Sequence, residues 1–449
     1  MLVNKPKTVI FCILAGVLSY FISPYETKLT LSVIFSVEAL VLWGSSAVDN
    51  AAVSLFFIAG AWLFSLAPLK ILFTFPKTEN FYLIILSYIL TKGVTDTGAA
   101  AVFSKNIMEK IVKSPVKLIF FSYAAGFLLI FFIPQPFPRV ILLAAFYKEF
   151  FKKQNLPQST EEILFFSIFT ASTFTSMFFL TGDMLLNYVV VTVAQAQINW
   201  GQWALYMSVP TLVTCVATFI LFLAVFRKEI YAKSFDNTKS LKKSAPISSE
   251  QKKMIFVCTI IFLSFATQTF HKFSAAAIML SGIGMGIILG VIKKDCIKNV
   301  NWKLLIFFTG AFSVGNVLNS SGAADIIVNN LLSFAPEGNF QIKIVFLIIV
   351  TLILNFFLGS AVTTSSVVIP TIARLGILEP HSAALTLFVY TIVSIQYILP
   401  FHHATVMIGF GEKLYPTKII IKYGIFLTIL TFFIVLYICI PWWRFLNLL

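Results

Sequence analysis

The sequence predicts an all-α polytopic membrane protein of about eleven transmembrane helices, built as two inverted repeats that each hold a re-entrant helical hairpin and a broken helix. Three observations carry that prediction. Of the 449 residues, 59% are hydrophobic, 11% are charged and 49 are phenylalanine, an apolar share far above that of a water-soluble domain. Apolar runs long enough to cross about 30 Å of hydrocarbon, roughly 20 residues each, recur from Thr8 to Pro441. Short polar interruptions break several of these runs, at corresponding places in the two halves of the chain.

Taken in order, the first run is TVIFCILAGVLSYFI, behind Lys5 and Lys7. No small-x-small cleavage site follows it and SPYETK leads straight into the next apolar stretch, so it reads as a retained span. It belongs to a pair of N-terminal scaffold helices over residues 1–43. A first repeat covers 44–227, with a re-entrant hairpin near 117–152. Within it, TKGVTDTGAAAVFSKNIMEKIV breaks at Gly98 and continues as an amphipathic helix with Ile107, Ile111 and Val112 on one side. IPQPFPR follows at 133–139, and LTGDMLLN then places Thr181, Gly182, Asp183 and Asn187 in apolar surroundings. Residues 228–253 form a basic, serine-rich cytoplasmic linker. The second repeat covers 254–449, with a re-entrant hairpin near 340–375. VGNVLNSSGAADIIVNNLL breaks at Gly322 and continues with Ile326, Ile327, Leu331 and Leu332; LGSAVTTSS follows, and then LPFHHATVMIGFGEK with Pro400, His402, His403 and Thr405.

The two halves keep one rhythm: 37 residues separate Gly98 from Gln135, and 38 separate Gly322 from Ser360. Matched interruptions of this kind point to a secondary transporter with broken helices at mid-membrane. Backbone groups freed by a break find no partner in hydrocarbon, so each break must line a buried or watery cavity. The half-helix that restarts after a break offers unpaired N–H groups and the positive end of its dipole, which suits an anion. Two such ends facing each other suit a dianion.

The formal net charge of +15 comes from short connections and not from a basic soluble domain, which argues against nucleic acid as a partner. Lys228, Lys233, Lys239, Lys242, Lys243, Lys252 and Lys253 lie at the linker, and the positive-inside rule puts them in the cytoplasm. Lys5, Lys7, Lys105, Lys110, Lys113, Lys117, Lys148, Lys152, Lys153, Lys293 and Lys294 fall on the same side. The expected location is therefore a multi-pass plasma membrane, that of a bacterial inner membrane, with the N-terminus cytoplasmic and the C-terminus external. Cys12, Cys215, Cys258, Cys296 and Cys439 have no metal-ligand spacing and read as core or lipid-facing residues without disulfides. The sequence holds no HExxH or GxxxxGK[ST] motif and no Ser/His pairing of a hydrolase, which argues against an intramembrane enzyme or an ATP-driven pump.

At these residues the chain resembles, over nearly its whole length, the divalent anion/sodium symporter family of di- and tricarboxylate transporters within the wider ion-transporter superfamily. LIFFTGAFSVGNVLNSSGAADIIVNNL is similar to the family's glycine-containing span and the amphipathic helix after it. The segment from FFLTGDMLLN through Trp203 and Pro210 is similar to the one after the family's first hairpin, and LPFHHATVMIGFGEK to the one after its second. The resemblance implies a Ser-Asn-Thr signature at each hairpin tip, where family members bind substrate carboxylates and build two sodium sites. Here the first tip falls on Gln135, Pro136 and Phe137, with Arg139 matching an arginine that some members carry just after the signature. The second falls on Ser360, Ala361 and Val362, followed by Thr363 and Thr364. One of six signature positions is kept, and both asparagines are replaced, by Pro136 and Ala361.

An asparagine amide can serve a cation with its oxygen and a carboxylate with its NH2, whereas proline lacks even the backbone N–H. Arg139 is thus a candidate carboxylate clamp standing where other members use a bound ion, as against an arginine snorkelling to the headgroups. The candidate substrate site is completed by His402, His403 and Thr405. These two histidines are adjacent and point apart on a helix, so they do not read as a metal pair. Thr181, Gly182, Asp183, Asn187 and Ser360 are the candidate ligands of sodium, the one coupling ion and metal the resemblance implies; no cofactor is expected. The implied activity is secondary active transport of a small dicarboxylate of the succinate, malate or 2-oxoglutarate class, by alternating access, as a cation-coupled symporter or an anion exchanger, in a homodimer within the lipid bilayer. The lost signatures tilt the balance toward exchange or proton coupling. Two readings compete: a transporter of another anion, such as sulfate or an arsenite-like oxyanion, and a membrane protein that binds dicarboxylate but has lost transport.

Overall fold

Every regular element among the described residues of the computed structural model is a helix. The structure describes residues 5–45, 47–103, 108, 111–131, 133, 135–152, 154–183, 186–187, 190–191, 198–231, 235, 247–337, 339–359, 361–373 and 382–449. Ser360 and most of the linker, with Lys233, Lys239, Lys242 and Lys243, lie outside them, as do Lys105, Ile107, Lys110 and Lys153. The helices of eight or more residues are α1 (Lys5–Ile22), α2 (Thr27–Ser45), α3 (Asn50–Leu63), α4 (Glu79–Asp96), α5 (Pro115–Leu128), α6 (Pro136–Phe151), α7 (Gln158–Thr175), α8 (Trp200–Val225) and α9 (Ser249–Ala266). They continue with α10 (Ala275–Ile288), α11 (Trp302–Ser320), α12 (Ala323–Leu332), α13 (Phe340–Leu358), α14 (Ala361–Ala373), α15 (Ser382–Ile395), α16 (Ala404–Gly411) and α17 (Thr417–Ile434).

Among the described residues, three helices are long and apolar enough by themselves to cross a bilayer: Trp200–Val225, Phe340–Leu358 and Thr417–Phe445, the last being α17 with its continuation. The apolar helices at Thr8–Ile22, Asn50–Leu63, Pro115–Phe131, Ala275–Ile288 and Ala383–Ile395 are shorter. α4, α7, α9 and α11 are 18 or 19 residues long yet too polar to count with those three, so length and composition together reach only part of the expected eleven or so spans. Large apolar side chains on α1, such as Phe11, Leu14 and Phe21, are 69%, 64% and 79% exposed, which suits contact with lipid and would be an aggregation hazard in water.

Local chemistry explains where helices begin. Ser114, Asn199, Ser248, Ser274, Asn301 and Asn339 each accept a backbone N–H from the first turn of the helix they precede, the expected use of Ser and Asn at an N-cap. Two helix ends match one another as the sequence comparison suggests. After α4 the chain turns at Gly98, φ +73°, and after α11 at Gly322, φ +77°, a left-handed conformation that glycine takes without strain. A short helix, Ala99–Phe103, follows the first turn and α12 follows the second.

The chain reverses direction at both expected tips. Ser122 on α5 and Tyr147 on α6 share a hydrogen bond of 2.7 Å, and they lie at nearly equal distances in sequence from Gln135. In the second case the Thr364 hydroxyl of α14 donates to Asn355 Oδ1 of α13 at 3.1 Å, closing the chain around Gly359. The helix that follows each hairpin, α7 or α15, then stops inside the protein. α7 ends at Thr175 and α15 at Ile395; each is followed by a 3-10 turn, Leu180–Gly182 and Pro400–His402, and then by an extended residue, Asp183 and His403. Asp183 and His403 each stand eight residues past their helix end. α16 packs on α6 and α7, and α14 packs on α11, α13 and α15, so the two interruptions and the second tip meet in the core.

Candidate functional site

The first half of the site is organised by Arg139, in the first turn of α6. Its side chain is 0% exposed, which excludes snorkelling. Nη2 donates to the Ser176 hydroxyl at 2.6 Å and to the Gly182 carbonyl at 2.9 Å, so one guanidinium nitrogen ties the first tip to both ends of the interruption after α7. Nε and Nη1 are buried without a hydrogen-bond partner. Asp183, the residue after Gly182, is also buried, and its Oδ1 accepts the Leu186 N–H at 3.2 Å. Arg139 and Asp183 are the only buried Arg, Lys, Asp or Glu side chains among the described residues. A side chain at Gly182 would come within 2.1 Å of the Ser176 carbonyl, so this close turn requires glycine. Asn187 braces the turn from the other side, its Nδ2 donating to the Phe179 and Leu180 carbonyls at 3.0 and 3.2 Å. Gln135, just ahead of α6, is buried with Oε1 unpartnered.

The second half uses a neutral group for the same task. Asn355, near the end of α13, donates to the Gln396 carbonyl at 3.1 Å and to the Gln396 side-chain oxygen at 2.5 Å, while its own oxygen accepts from Thr364. It joins both arms of the second hairpin to the interruption after α15. Gly359 ends α13 in the left-handed region, φ +65°, and α14 starts two residues later. Thr363 lies over α11 at Gly315, where a Cβ would come within 2.3 Å of its hydroxyl. His402 Nδ1 accepts the Ile398 N–H at 3.1 Å and folds the turn before it. His403 caps α16 through Nδ1, which accepts the Thr405 N–H at 3.3 Å. The Thr405 hydroxyl is buried without a hydrogen-bond partner.

One central cavity of about 20 Å³ joins the two halves. Asp183, Ala361, Val362, His402 and His403 line it, all of them candidates read from the sequence. Leu186, Ala311, Phe312, Gly359, Phe401, Ala404 and Met407 complete the wall; their apolar character hides them among ordinary core residues, and only the glycine in LGSAV stands out. The volume suits one water-sized occupant. Gln135, Pro136, Phe137, Arg139, Gly182, Asn187, Thr363, Thr364 and Thr405 are not among the residues that line it, and Ser360 lies outside the described residues. Thr181 is elsewhere: its hydroxyl accepts from the exposed Trp200 indole at 3.3 Å. The clamps through Ser176, Asn355 and Gln396 are absent from the sequence reading, although Asn355, an amide within IVTLILNFFLG, is the kind of intramembrane polar residue that asks for a partner. Two larger cavities, of about 680 and 340 Å³, lie toward the end of the molecule that carries Lys148, Lys152 and Lys413.

Comparison with known proteins adds identity to this geometry. Residues 8–449 match the family described as the sodium:sulfate symporter transmembrane region. Inner membrane protein YbhI of Escherichia coli K12 is 23% identical over 307 residues, covering 65% of this chain and 63% of that protein. The Bacillus subtilis protein named "Putative malate transporter YflS" is 22% identical over 270 residues, covering 57% and 56%. A membrane protein of Cupriavidus necator is 24% identical over 218 residues, covering 46% and 42%. The chain thus spans less than two thirds of the length of these relatives.

Proposed function

We propose, from the premise that the chain belongs to the sodium:sulfate symporter transmembrane family, that it is a secondary transporter of small dicarboxylate anions working by alternating access, and not an enzyme. One observation carries the reading: the first residues of two helices, Ala361 of α14 and Ala404 of α16, line the same buried cavity. Helix N-termini present N–H donors and positive dipole ends, an arrangement made for anions. The malate named for the Bacillus relative is a dicarboxylate of the proposed class.

The charges in the centre bear on coupling. Arg139 and Asp183 offset one another, so a substrate entering as a dianion brings charge that the protein alone does not balance. A cation must travel with it, or another anion must leave in exchange. At the first tip the oxygens that would hold a sodium ion, the Ser176 hydroxyl and the Gly182 carbonyl, already accept from Arg139. We read Arg139 as the fixed cation of the first half, which leaves Ser360, the one signature position kept, as the candidate ligand for any co-transported sodium. The two units, each a hairpin followed by an interrupted helix, are read as inverted repeats that move together against α3, α4, α10 and α11. The central cavity admits a water-sized occupant, so a dicarboxylate enters only as this body shifts. The reading keeps a homodimer and a plasma-membrane location, with the N-terminus inside and the C-terminus outside.

Uptake of labelled succinate into proteoliposomes, with and without a sodium gradient, tests the proposal. The expected result is accumulation or exchange of succinate, weakened by unlabelled malate. Absence of flux for every dicarboxylate, whether or not the vesicles are preloaded, would overturn it. Because the matching family is described by sulfate, sulfate is the second substrate to test: sulfate flux that dicarboxylates do not inhibit would replace the first reading by the second. Dicarboxylate binding without flux would favour a protein that has lost transport.

A further inference from the structure

We infer that Glu412 is a latch that holds the present conformation of the transporter, an inference that rests on the alternating-access reading above. Glu412 directly follows α16, the short helix whose first residue lines the central cavity. Its Oε1 accepts two hydrogen bonds, one from the Tyr88 hydroxyl of α4 and one of 2.7 Å from Nδ2 of Asn301, just ahead of α11. α4 packs on α10 and along α6, and α11 packs on α3, whereas α16 sits on α6 and α7. A single carboxylate therefore fastens the hairpin-bearing body to two helices of the part it must move against.

The surroundings fit a junction that opens. Glu412 belongs to the walls of both larger cavities, so the three-residue contact separates them. The contact is held firmly while it lasts: at Gly411 a Cβ would come within 2.3 Å of the Leu304 side chain, which seats the end of α16 against α11. Lys413 follows in the left-handed region, φ 56°, and closes the end of α16, its N–H donating to the Phe410 carbonyl and that of Leu414 to the Gly409 carbonyl. Nearby, Lys303 is paired with Asp49 at 3.3 Å. Hydrogen bonds to an ionised carboxylate are roughly twice as strong as neutral ones, so removing either donor biases the conformational equilibrium. If the same contact persisted in every state of the cycle, its loss would bias nothing.

Accessibility tests this without any substrate. Ala47, on the wall of the larger cavity, is changed to cysteine in a chain whose five native cysteines are replaced, and a membrane-impermeant maleimide is applied from the lysine-rich face. Tyr88→Phe removes one donor and Glu412→Ala the acceptor; both are expected to slow labelling by about tenfold or more, the fold-change that corresponds to losing a hydrogen bond to a charged group. Glu412→Gln keeps an acceptor and is expected to slow it less. Labelling rates equal to the parent in Tyr88→Phe and Glu412→Ala would overturn the latch. If Glu412→Ala fails to insert, Tyr88→Phe decides alone. A labelling shift without dicarboxylate flux would keep the latch and sink the substrate reading, and flux with unchanged labelling would do the reverse.

Discussion

In the first hairpin unit a guanidinium ties the tip to the interruption that follows it, and in the second unit an amide does so. Arg139 reaches from α6 to Ser176 and Gly182, while Asn355 reaches from α13 to Gln396 and Thr364. The tips differ in the same sense. α6 opens with Pro136 and Pro138, which have no N–H to give and fix φ in advance. α14 opens with Ala361, Val362, Thr363 and Thr364, all of which keep their N–H groups. The comparison suggests a division of labour: the first unit is rigid and carries the fixed charge, and the second offers the backbone donors and the wall that meets the anion.

Arg139→Met tests this division most severely. It strands the Gly182 carbonyl in the core, at about 1–3 kcal/mol for a buried acceptor left unmade, and takes away the one buried cation among the described residues, Asp183 being the one buried carboxylate. Uptake is expected to fall about a hundredfold or more with the protein still inserted, and the melting point in detergent to drop. Adding Asp183→Asn should recover part of the stability, since the coupling is mutual. Arg139→Lys should rescue poorly, because an ammonium cannot reproduce the guanidinium fork. Normal uptake by Arg139→Met would remove both the clamp and the fixed-cation reading.

Asn355→Ala is next in size. It leaves the Gln396 side chain and the Thr364 hydroxyl short of a partner in the core, at about 1–3 kcal/mol, and should raise KM more than Arg139→Lys does because it loosens the wall that the anion meets. An unchanged KM with lower stability would assign Asn355 to folding alone. Gly359→Ala should destabilise by about 1–2 kcal/mol through its positive φ, measured as a lower melting temperature; an unaltered melting temperature would mean that the turn relaxes.

The asymmetry between the units also marks how far the sequence could be read. Composition and the length of apolar runs announce an α-helical membrane protein because the bilayer permits little else. Both tips were legible because Gly and Pro punctuate an apolar run, and Asp183, His402 and His403 because ionisable groups are conspicuous there. The pairing Arg139 to Gly182 was not legible, since a carbonyl has no sequence signature and the guanidinium alone is compatible with a snorkelling anchor. Likewise Thr181 looks identical to its neighbours in LTGD, yet the 3-10 turn rotates it outward to Trp200 while Asp183 faces the cavity. Ala311, Phe312 and Met407 reach the wall only through packing between distant helices, which a single chain pattern does not encode.

The smallest expected effect bears most directly on the contrast between the tips. Pro138→Ala restores an N–H at the third residue of α6 and frees φ in the unfolded chain, which lowers stability by about 0.4–1 kcal/mol. If the first tip serves mainly for rigidity and charge, the new donor, at a residue that does not line the cavity, adds no hydrogen bond to the anion, and KM should change by less than the roughly threefold that even a weak one would give. A pronounced fall in KM would show that the prolines limit anion binding at the first tip, and the two tips would then differ in degree and not in role. Because Pro138 is buried beside Arg139, the variant is informative only with the clamp intact, so it is paired with a check that Arg139→Met still abolishes uptake in the Pro138→Ala background.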